Sequence, residues 1–322
     1  MKAIQVRQPG GLEAMELVDL PVPEPKANEA VVKLAASGVN FIDVYQREGR
    51  YKVPLPFVLG QEGAGAVTAV GADVKGLKAG DRVAYASILG SYAEYAAVPA
   101  DKLVPVPSGV TDQQAAGAML QGMTAHYLSH DAFPLQRGET ALVHAAAGGV
   151  GLLLVQMAHN IGARVIATVS TGEKAKLARE AGADDVILYS QSDFEAETKR
   201  FMGGKGVDVV YDSVGKTTFE QSLLCLRRRG MLASFGEASG DPTPIAPRRL
   251  GQLGSIFLTH PSLGDYTATR TELLETANDL FDMVAAGKVS IDVTKEYPLR
   301  DAARAHADLE ARKTTGAIVL IA

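Results

Sequence analysis

Short runs that alternate apolar and polar residues dominate the first third of the chain. KAIQV, EAVVKLAA, GAGAVTAV, DRVAYA, SYAEYAAV and LVPV share a two-residue period and are separated by Gly, Pro and Asp turns. That period predicts strands over residues 1 to about 120. From Asp112 the period lengthens to that of a helix, through QQAAGAML and TAHYLSHDAF. After Thr140 the two periods take turns. TALV, RVIATV, DDVILY, VDVVYDS, MLASFG and SIFLTH read as strands. VGLLLVQMAHNI, EKAKLAREA, DFEAETKRFM and TTFEQSLLCL read as helices between them. Strands joined by helical crossovers predict an α/β domain with a doubly wound parallel sheet. The proline-rich DPTPIAPRRL reads as an ordered loop. Arg227, Arg228 and Arg229 read as a solvated helix end, where cations suit the negative end of the dipole. Beyond Pro261, TRTELLETANDLFDMVAAG sets Leu273, Leu274, Ala277, Leu280, Phe281 and Val284 on one core-facing stripe. A strand-like IDVTKEYPL, a helix DAARAHADLEAR and a strand AIVLIA follow. This last piece is too small to close a core alone, so it is expected to fold back onto the N-terminal β domain.

The chemistry is concentrated in HAAAGGVG, His144 to Gly151, between a buried strand and a helix. Strand, glycine turn and helix in that order open a dinucleotide-binding unit. The fingerprint reads Ala146-x-Gly148-x-x-Gly151, with alanine in the first place. Gly148 would let backbone approach a pyrophosphate, and Gly151 would let the helix pack closely on the strand. The helix N-terminus offers N–H groups and partial positive charge to phosphate. A Gly-Gly pair alone serves any tight turn, so the surrounding alternation carries the reading.

The chain's 322 residues favour two domains. A formal net charge of −5 argues against a nucleic-acid or acidic-membrane surface. One cysteine, Cys225, excludes an internal disulfide and any multi-cysteine metal site, and suits a reducing compartment. Set among LLCL, it reads as a small core residue. MKAIQV begins without an apolar signal core, and a soluble cytoplasmic protein is expected. His126 and His130 stand four apart on a helix, but Tyr127 follows His126 and no third ligand is evident, so no metal is expected there.

The stretches GVNFIDVYQREG, PLPFVLGQEGAGAV, GDRVAY, QGMTA, AAAGGVG, YDSVG and ARKTTGAIVL resemble the medium-chain dehydrogenase/reductase superfamily along essentially the whole chain. Within it they are most similar to the zinc-independent, zeta-crystallin-like quinone oxidoreductases. The resemblance implies a Rossmann NADPH-binding domain over 123–263, inserted in a GroES-like mainly-β substrate domain over 1–122 and 264–322. It implies NADPH-dependent reduction of a quinone. Relatives of the same fold reduce the C=C bond of enals or enones, and zeta-crystallins also serve as lens protein and bind RNA; these are the alternatives. The acidic balance and the lack of an interleaved basic–aromatic stretch disfavour RNA. The alcohol dehydrogenase branch holds catalytic zinc on a Cys and a His, where this chain has Asn40 and Gln61. Amides bind zinc poorly, so no metal is expected.

NAD binders place an acid about 20 residues beyond the glycine loop. Here Ser170-Thr171-Gly172-Glu173-Lys174 offers hydroxyls and a cation, which suits a 2′-phosphate. A solvated helix residue is the plain alternative for Lys174, and Glu173 is assumed to point away. The resemblance implies phosphate contacts at Ser170, Lys174 and Tyr189, beside Gly148, Gly149, Val150 and Gly151. It also implies nicotinamide-side contacts at Asn40, Tyr45, Thr124, Ser213, Phe235 with Gly236, and Arg312, in a cleft between the domains. Tyr51 and Gln61 are further neutral donors for a quinone oxygen, and Asp43 is either a cap or an acid. The edge strand Ser255 to Thr259 is apolar and would leave unpaired backbone groups, so a homodimer through it is expected, as in superfamily relatives.

Overall fold

The early alternation becomes strands in the computed structural model, which describes every residue from Met1 to Ala322. They are β1 (Lys2–Val6), β2 (Glu16–Asp19), β3 (Glu29–Gly38), β4 (Phe57–Val58), β5 (Glu62–Val70), β6 (Arg82–Ala86), β7 (Tyr95–Pro99) and β8 (Val104–Pro105). Helix α1 (Phe41–Arg47) follows β3, and α2 (Asp112–Ala116) and α3 (Met119–Tyr127) follow β8. The alternating region contains β9 (Thr140–Val143), α4 (Gly149–Ile161), β10 (Arg164–Val169), α5 (Gly172–Glu180) and β11 (Asp185–Leu188). It continues with α6 (Phe194–Phe201), β12 (Val207–Asp212), α7 (Phe219–Cys225), β13 (Leu226–Ser234), α8 (Pro247–Gln252), β14 (Phe257–Thr259) and α9 (Leu263–Tyr266). The chain ends with α10 (Arg270–Ala285), β15 (Val293–Pro298), α11 (Ala302–Glu310) and β16 (Ala317–Ile321).

Two compact units result. The first comprises Met1–Met123, Thr267–Ala286 and Ile291–Ala322; the second comprises Thr124–Tyr266 and Gly287–Ser290. In the first, the main sheet runs β15-β16-β3-β5-β6-β8, with β7 also on β3, and β2-β1-β4 form a smaller sheet. The C-terminal piece does fold back: β16 lies antiparallel to β3, pairing Val319 with Gly38 and Leu320 with Ser37. Val32, Leu34, Val67, Val83 and Tyr85 fill one core, and Ile4, Leu59, Tyr92 and Leu320 another. Helix α10 starts on a capping box, in which Thr269 accepts from Glu272 N–H and Glu272 accepts from Thr269 N–H. It buries Leu273, Ala277, Leu280 and Phe281, with Leu274 and Val284 half-buried. A Cβ on Gly122 of α3 would sit 2.5 Å from Leu280, so that glycine sets how closely the two helices pack.

In the second unit all neighbours are parallel, in the order β11-β10-β9-β12-β13-β14. All four residues of TALV are buried, as in a sheet covered on both faces. The winding reverses between β9 and β12, and a crevice at the carboxyl ends of such strands is where ligands bind in open α/β sheets.

Three local expectations are corrected. Arg227, Arg228 and Arg229 do not end a helix but open β13. Leu226 pairs with Val207, the register slips before Val209 meets Met231, and Arg229 takes a left-handed φ of 57°. Arg227 is held there by Asp208 of the neighbouring strand, at 2.5 Å, a partner no local pattern reveals. The end of DPTPIAPRRL is the helix α8, with Pro247 at its first turn, where the missing N–H costs nothing. The last strand is shorter than Ser255–Thr259: Ser255 has φ of 56°, and Ile256 turns into the core with its N–H on Leu250 O.

Candidate cofactor and substrate site

The turn between β9 and α4 is left-handed at Ala145, with φ of 50°, one residue before the alanine of the fingerprint. Gly148 is the N-cap of α4 and has ordinary extended geometry, and a Cβ there would stand 3.2 Å from Ala145 O, so what the glycine gives is room and not conformation. No side chain caps this 13-residue helix, which leaves its positive end to a ligand. A Cβ on Gly151 would collide with Ala145 O and stand 2.8 Å from Ala146 Cα. Gly151 therefore lets the helix close on the turn itself, and not on the strand as its spacing suggested. Gly149 and Val150 complete the helix start and are half-buried.

Val169 pairs with Leu188, so Ser170 and Tyr189 leave the sheet side by side. Tyr189 N–H donates to Val169 O at 3.1 Å, and the Ser190 hydroxyl donates to Ser170 O at 2.8 Å. Thr171 caps α5 by accepting from Lys174 N–H. Lys174 thus stands in the first turn of a helix, where a cation opposes the dipole. The dipole does not favour a cation at this place. Glu173 is exposed. At the ends of β12 and β13, Phe235 N–H donates to Asp212 O, and a Cβ on Gly236 would lie 2.9 Å from Ser213 O. Ser213, Phe235 and Gly236 are thereby brought together.

The first unit gathers the other candidates around α1. Asn40 is its N-cap, and its own N–H donates to Asp43 at 2.8 Å. Asp43 also accepts from the Tyr92 hydroxyl at 3.0 Å, so of its two readings the structural acceptor is the one its contacts support. The Asn40 amide donates to Glu62 Oε2 at 2.8 Å and accepts from Gln121 Nε2 at 3.0 Å. Glu62 accepts Leu120 N–H on its other oxygen, at 2.6 Å. Gly38 leaves the room: a Cβ there would strike the Glu62 carboxylate. Burial pushes Glu62 up to about 8 and Asp43 up to about 7, against the hydrogen bonds that favour their ionised forms. Gln61 is buried next to Glu62. Tyr45 is buried on α1, with the Tyr51 ring at 5.4 Å and the Arg50 guanidinium 4.4 Å over its own ring. Tyr51 is partly exposed. Arg312 lies on the exposed turn after α11, with φ of 57°. Thr124 is buried on α3, at the start of the second unit. His126 and His130 stack ring on ring at 4.4 Å, and burial pushes the Cys225 thiol up to about 12.

Glu62, Gln121 and Asp212 were not singled out from the sequence as site residues. For Glu62 a signal existed: one acid between Gly60 and Gly63, opening an otherwise apolar strand. Gln121 carries no such mark, because its role depends on how α3 meets α1.

A family described as alcohol dehydrogenase GroES-like domain matches residues 26–108, and one described as zinc-binding dehydrogenase matches 149–279. Quinone oxidoreductase 1 of Escherichia coli (strain K12) is 46% identical over 322 residues, covering 99% of this chain and 98% of its own. The crystal structure of Escherichia coli quinone oxidoreductase complexed with NADPH superposes with a TM-score of 0.98 at 45% identity, covering both chains fully. A mycobacterial protein complexed with NADPH also has a TM-score of 0.98, at 49% identity and full coverage of both chains. The zinc in the second family description does not fit this chain. The Asn40 amide is engaged by Glu62 and Gln121, Gln61 is an amide, and no three His, Cys, Asp or Glu side chains converge to hold a metal.

The raised carboxyls make a stability prediction. The fold keeps protons on Asp43 and Glu62 at a pH where the unfolded chain has lost them. Stability therefore falls as pH rises above the ordinary carboxyl range of about 4, and the fall ends above about 7 for Asp43 and about 8 for Glu62. Buried His144 and His306 are shifted down, His306 to about 3, and act the other way, but their effect is complete above an ordinary histidine value of about 6.5. Urea unfolding should show the wild type losing stability from pH 7 to 9, and Glu62→Gln losing less. Equal losses would show that Glu62 is not a source.

Proposed function

The chain belongs to the quinone oxidoreductases of the medium-chain dehydrogenase/reductase superfamily, and from that premise we propose that it transfers a hydride from NADPH to a quinone. The end-to-end similarity to quinone oxidoreductases, one of them solved with NADPH, carries this reading. The fold is GroES-like in its N-terminal part and Rossmann-like in its dinucleotide-binding part. We assign residues 1–122 with 264–322 to the substrate side and 123–263 to the cofactor side.

The fit to NADPH rests on the uncapped start of α4, the space kept by Gly148 and Gly151, and the dipole-opposed Lys174. Gly148 to Gly151 would receive the pyrophosphate, and Ser170, Lys174 and Tyr189 the 2′-phosphate. Ser213, Phe235, Gly236, Thr124, Asn40 and Arg312 would hold the nicotinamide end. Bound there, NADPH supplies the hydride. Asn40, Tyr45, Tyr51 and Gln61 are assigned to the quinone. Their neutral donors hold the oxyanion of the reduced ring until water protonates it. Of the Asn40 amide hydrogens, one is spent on Glu62, which orients the other. No helix is long and apolar enough to cross a membrane. A cytoplasmic location, without nucleic-acid partners, is part of the proposal, supported by one buried cysteine and the net charge of −5.

Acceptor preference tests the function. An enal leaves an enolate that needs a proton on carbon, where a positioned acid normally contributes about 10²–10⁴-fold. Quinone should therefore have the higher kcat/KM in NADPH oxidation. A better enal, whose reduction Tyr45→Phe abolishes, would replace quinone reduction by C=C reduction.

Cofactor choice should depend on Lys174. A charge-assisted bond to phosphate is worth about 1.5–3 kcal/mol. Lys174→Ala should raise KM for NADPH about ten- to a hundredfold and leave NADH almost unchanged. A wild type that prefers NADH contradicts this assignment.

The homodimer is proposed through β14, the unpaired edge of the six-stranded sheet, whose Phe257 is 57% exposed. Sedimentation should show a wild-type dimer and a Phe257→Glu monomer at micromolar concentration. A monomeric wild type rules it out.

A further inference from the structure

Beneath the glycine turn runs a buried polar chain that cofactor contacts do not explain. His144 Nδ1 lies 2.9 Å from Thr168 Oγ1, and its Nε2 lies 3.0 Å from Ser222 Oγ. The Ser222 hydroxyl lies 3.0 Å from Asp212 Oδ2. His144, Thr168, Ser222 and Asp212 are all buried. The protons can be counted. Asp212 only accepts, so Ser222 spends its one hydrogen on it. His144 Nε2 must then carry the hydrogen that Ser222 receives. That leaves Nδ1 bare, and Thr168 donates to it. Burial disfavours the charged imidazole, which agrees with a single neutral tautomer. The Phe194 ring meets the imidazole edge-on at 4.8 Å and fixes its plane.

The chain ends on a carboxylate that shapes a turn. Asp212 Oδ1 accepts Val214 N–H at 2.8 Å and Gly215 N–H at 3.1 Å, and Thr218 donates to the same carboxylate. Gly215 closes the turn with φ of 84°; a Cβ there would stand 2.6 Å from Gly240 O. At the other end, His144 opens the glycine turn, its N–H bonded to Tyr211 O at 3.0 Å. Thr168 and Asp212 stand near the carboxyl ends of β10 and β12, on either side of β9. The chain thus ties both ligand-facing turns of the sheet to one set of hydrogen bonds.

We propose that Asp212 and His144, linked through Ser222, are positioning residues that hold the Ser213–Gly215 turn and the glycine turn in fixed relation for cofactor binding. This rests on the assignment of those turns to NADPH. Neither residue touches the reacting atoms. Asparagine at 212 turns its NH2 either to the two backbone N–H groups of the turn, donor against donor, or to the Thr218 and Ser222 hydroxyls, which must then accept and reverse the hydrogen-bond direction through His144. Alanine at 222 cuts the link to His144 and spares the turn's own bonds.

Calorimetric titration with NADPH and with NADH, together with steady-state kinetics, tests this. Asp212→Asn should weaken both cofactors alike, by about tenfold or more. Turnover at saturating NADPH should stay within about threefold of wild type. The equal loss separates this effect from that of Lys174→Ala, which is confined to NADPH. Ser222→Ala should move both dissociation constants the same way by a smaller factor, and it decides alone if Asp212→Asn fails to fold. The proposal is overturned if Ser222→Ala binds both cofactors like the wild type. It is also overturned if Asp212→Asn loses turnover while keeping its affinity. A wild type that binds no NADPH would instead refute the cofactor reading itself.

Discussion

A carboxylate taken out of water must be ringed by donors or hold its proton, and this demand shapes both units of the protein. Asp43, Glu62 and Asp212 have no solvent exposure, and fixed N–H and O–H groups donate to one oxygen of Asp43 and to both oxygens of Glu62 and of Asp212. Glu62 has an amide on each oxygen, from Asn40 and from Leu120. Asp212 has two backbone amides and two hydroxyls. Since removing one donor leaves a buried oxygen without its hydrogen bond, these groupings tolerate little movement. Asn40 and the turn that carries Ser213 hang on them.

The two units meet this demand in the same way. In the second unit the hydrogens run from Thr168 through His144 and Ser222 to Asp212. In the first they run from Arg47 through His306 and Tyr92 to Asp43. Arg47, only 1% exposed, lies 3.2 Å from His306 Nδ1; His306 Nε2 lies 3.1 Å from the Tyr92 hydroxyl, which donates to Asp43. Burial and the neighbouring Arg47 hold His306 far below the ordinary histidine range, so it passes the hydrogen-bond direction along as a neutral ring. Arg47 also binds Glu310 at 2.5 Å. The C-terminal helix α11 therefore helps to set α1, which presents Asn40 and Tyr45. The returning C-terminal segment is part of the site's support as well as of the sheet.

Much of this was legible before any coordinates. The change from a two-residue to a helical period, and then to alternation, marks the strand-rich part and the parallel sheet, because side chains on a pleat and on a helix must face one core. HAAAGGVG points to a dinucleotide, and the hydroxyls of Ser170 and Thr171 followed by Lys174 to a 2′-phosphate, through residue chemistry. Where the structure departs from the sequence pattern, the deciding partner lies outside the run that was read. Arg227 belongs to a strand because Asp208 lies beside it, and Ile256 leaves the edge because Leu250 O takes its N–H.

Patterning along the chain by itself determined the kinds and order of elements and the glycine turn; that amides stand at Asn40 and Gln61 in place of zinc ligands is what the resemblance to the alcohol dehydrogenase branch implies. These depend on local periodicity and on side-chain chemistry, both written residue by residue. Only the tertiary structure decided which polar side chains are buried together. Glu62 and Gln121 stand 59 positions apart and meet at Asn40; Asp212 and His144 stand 68 apart and meet at Ser222. Nothing local distinguishes a glutamate that will be surrounded by amides from one that will face water. That difference arises when distant segments close around it, and the desolvation cost then selects the hydrogen-bond partners.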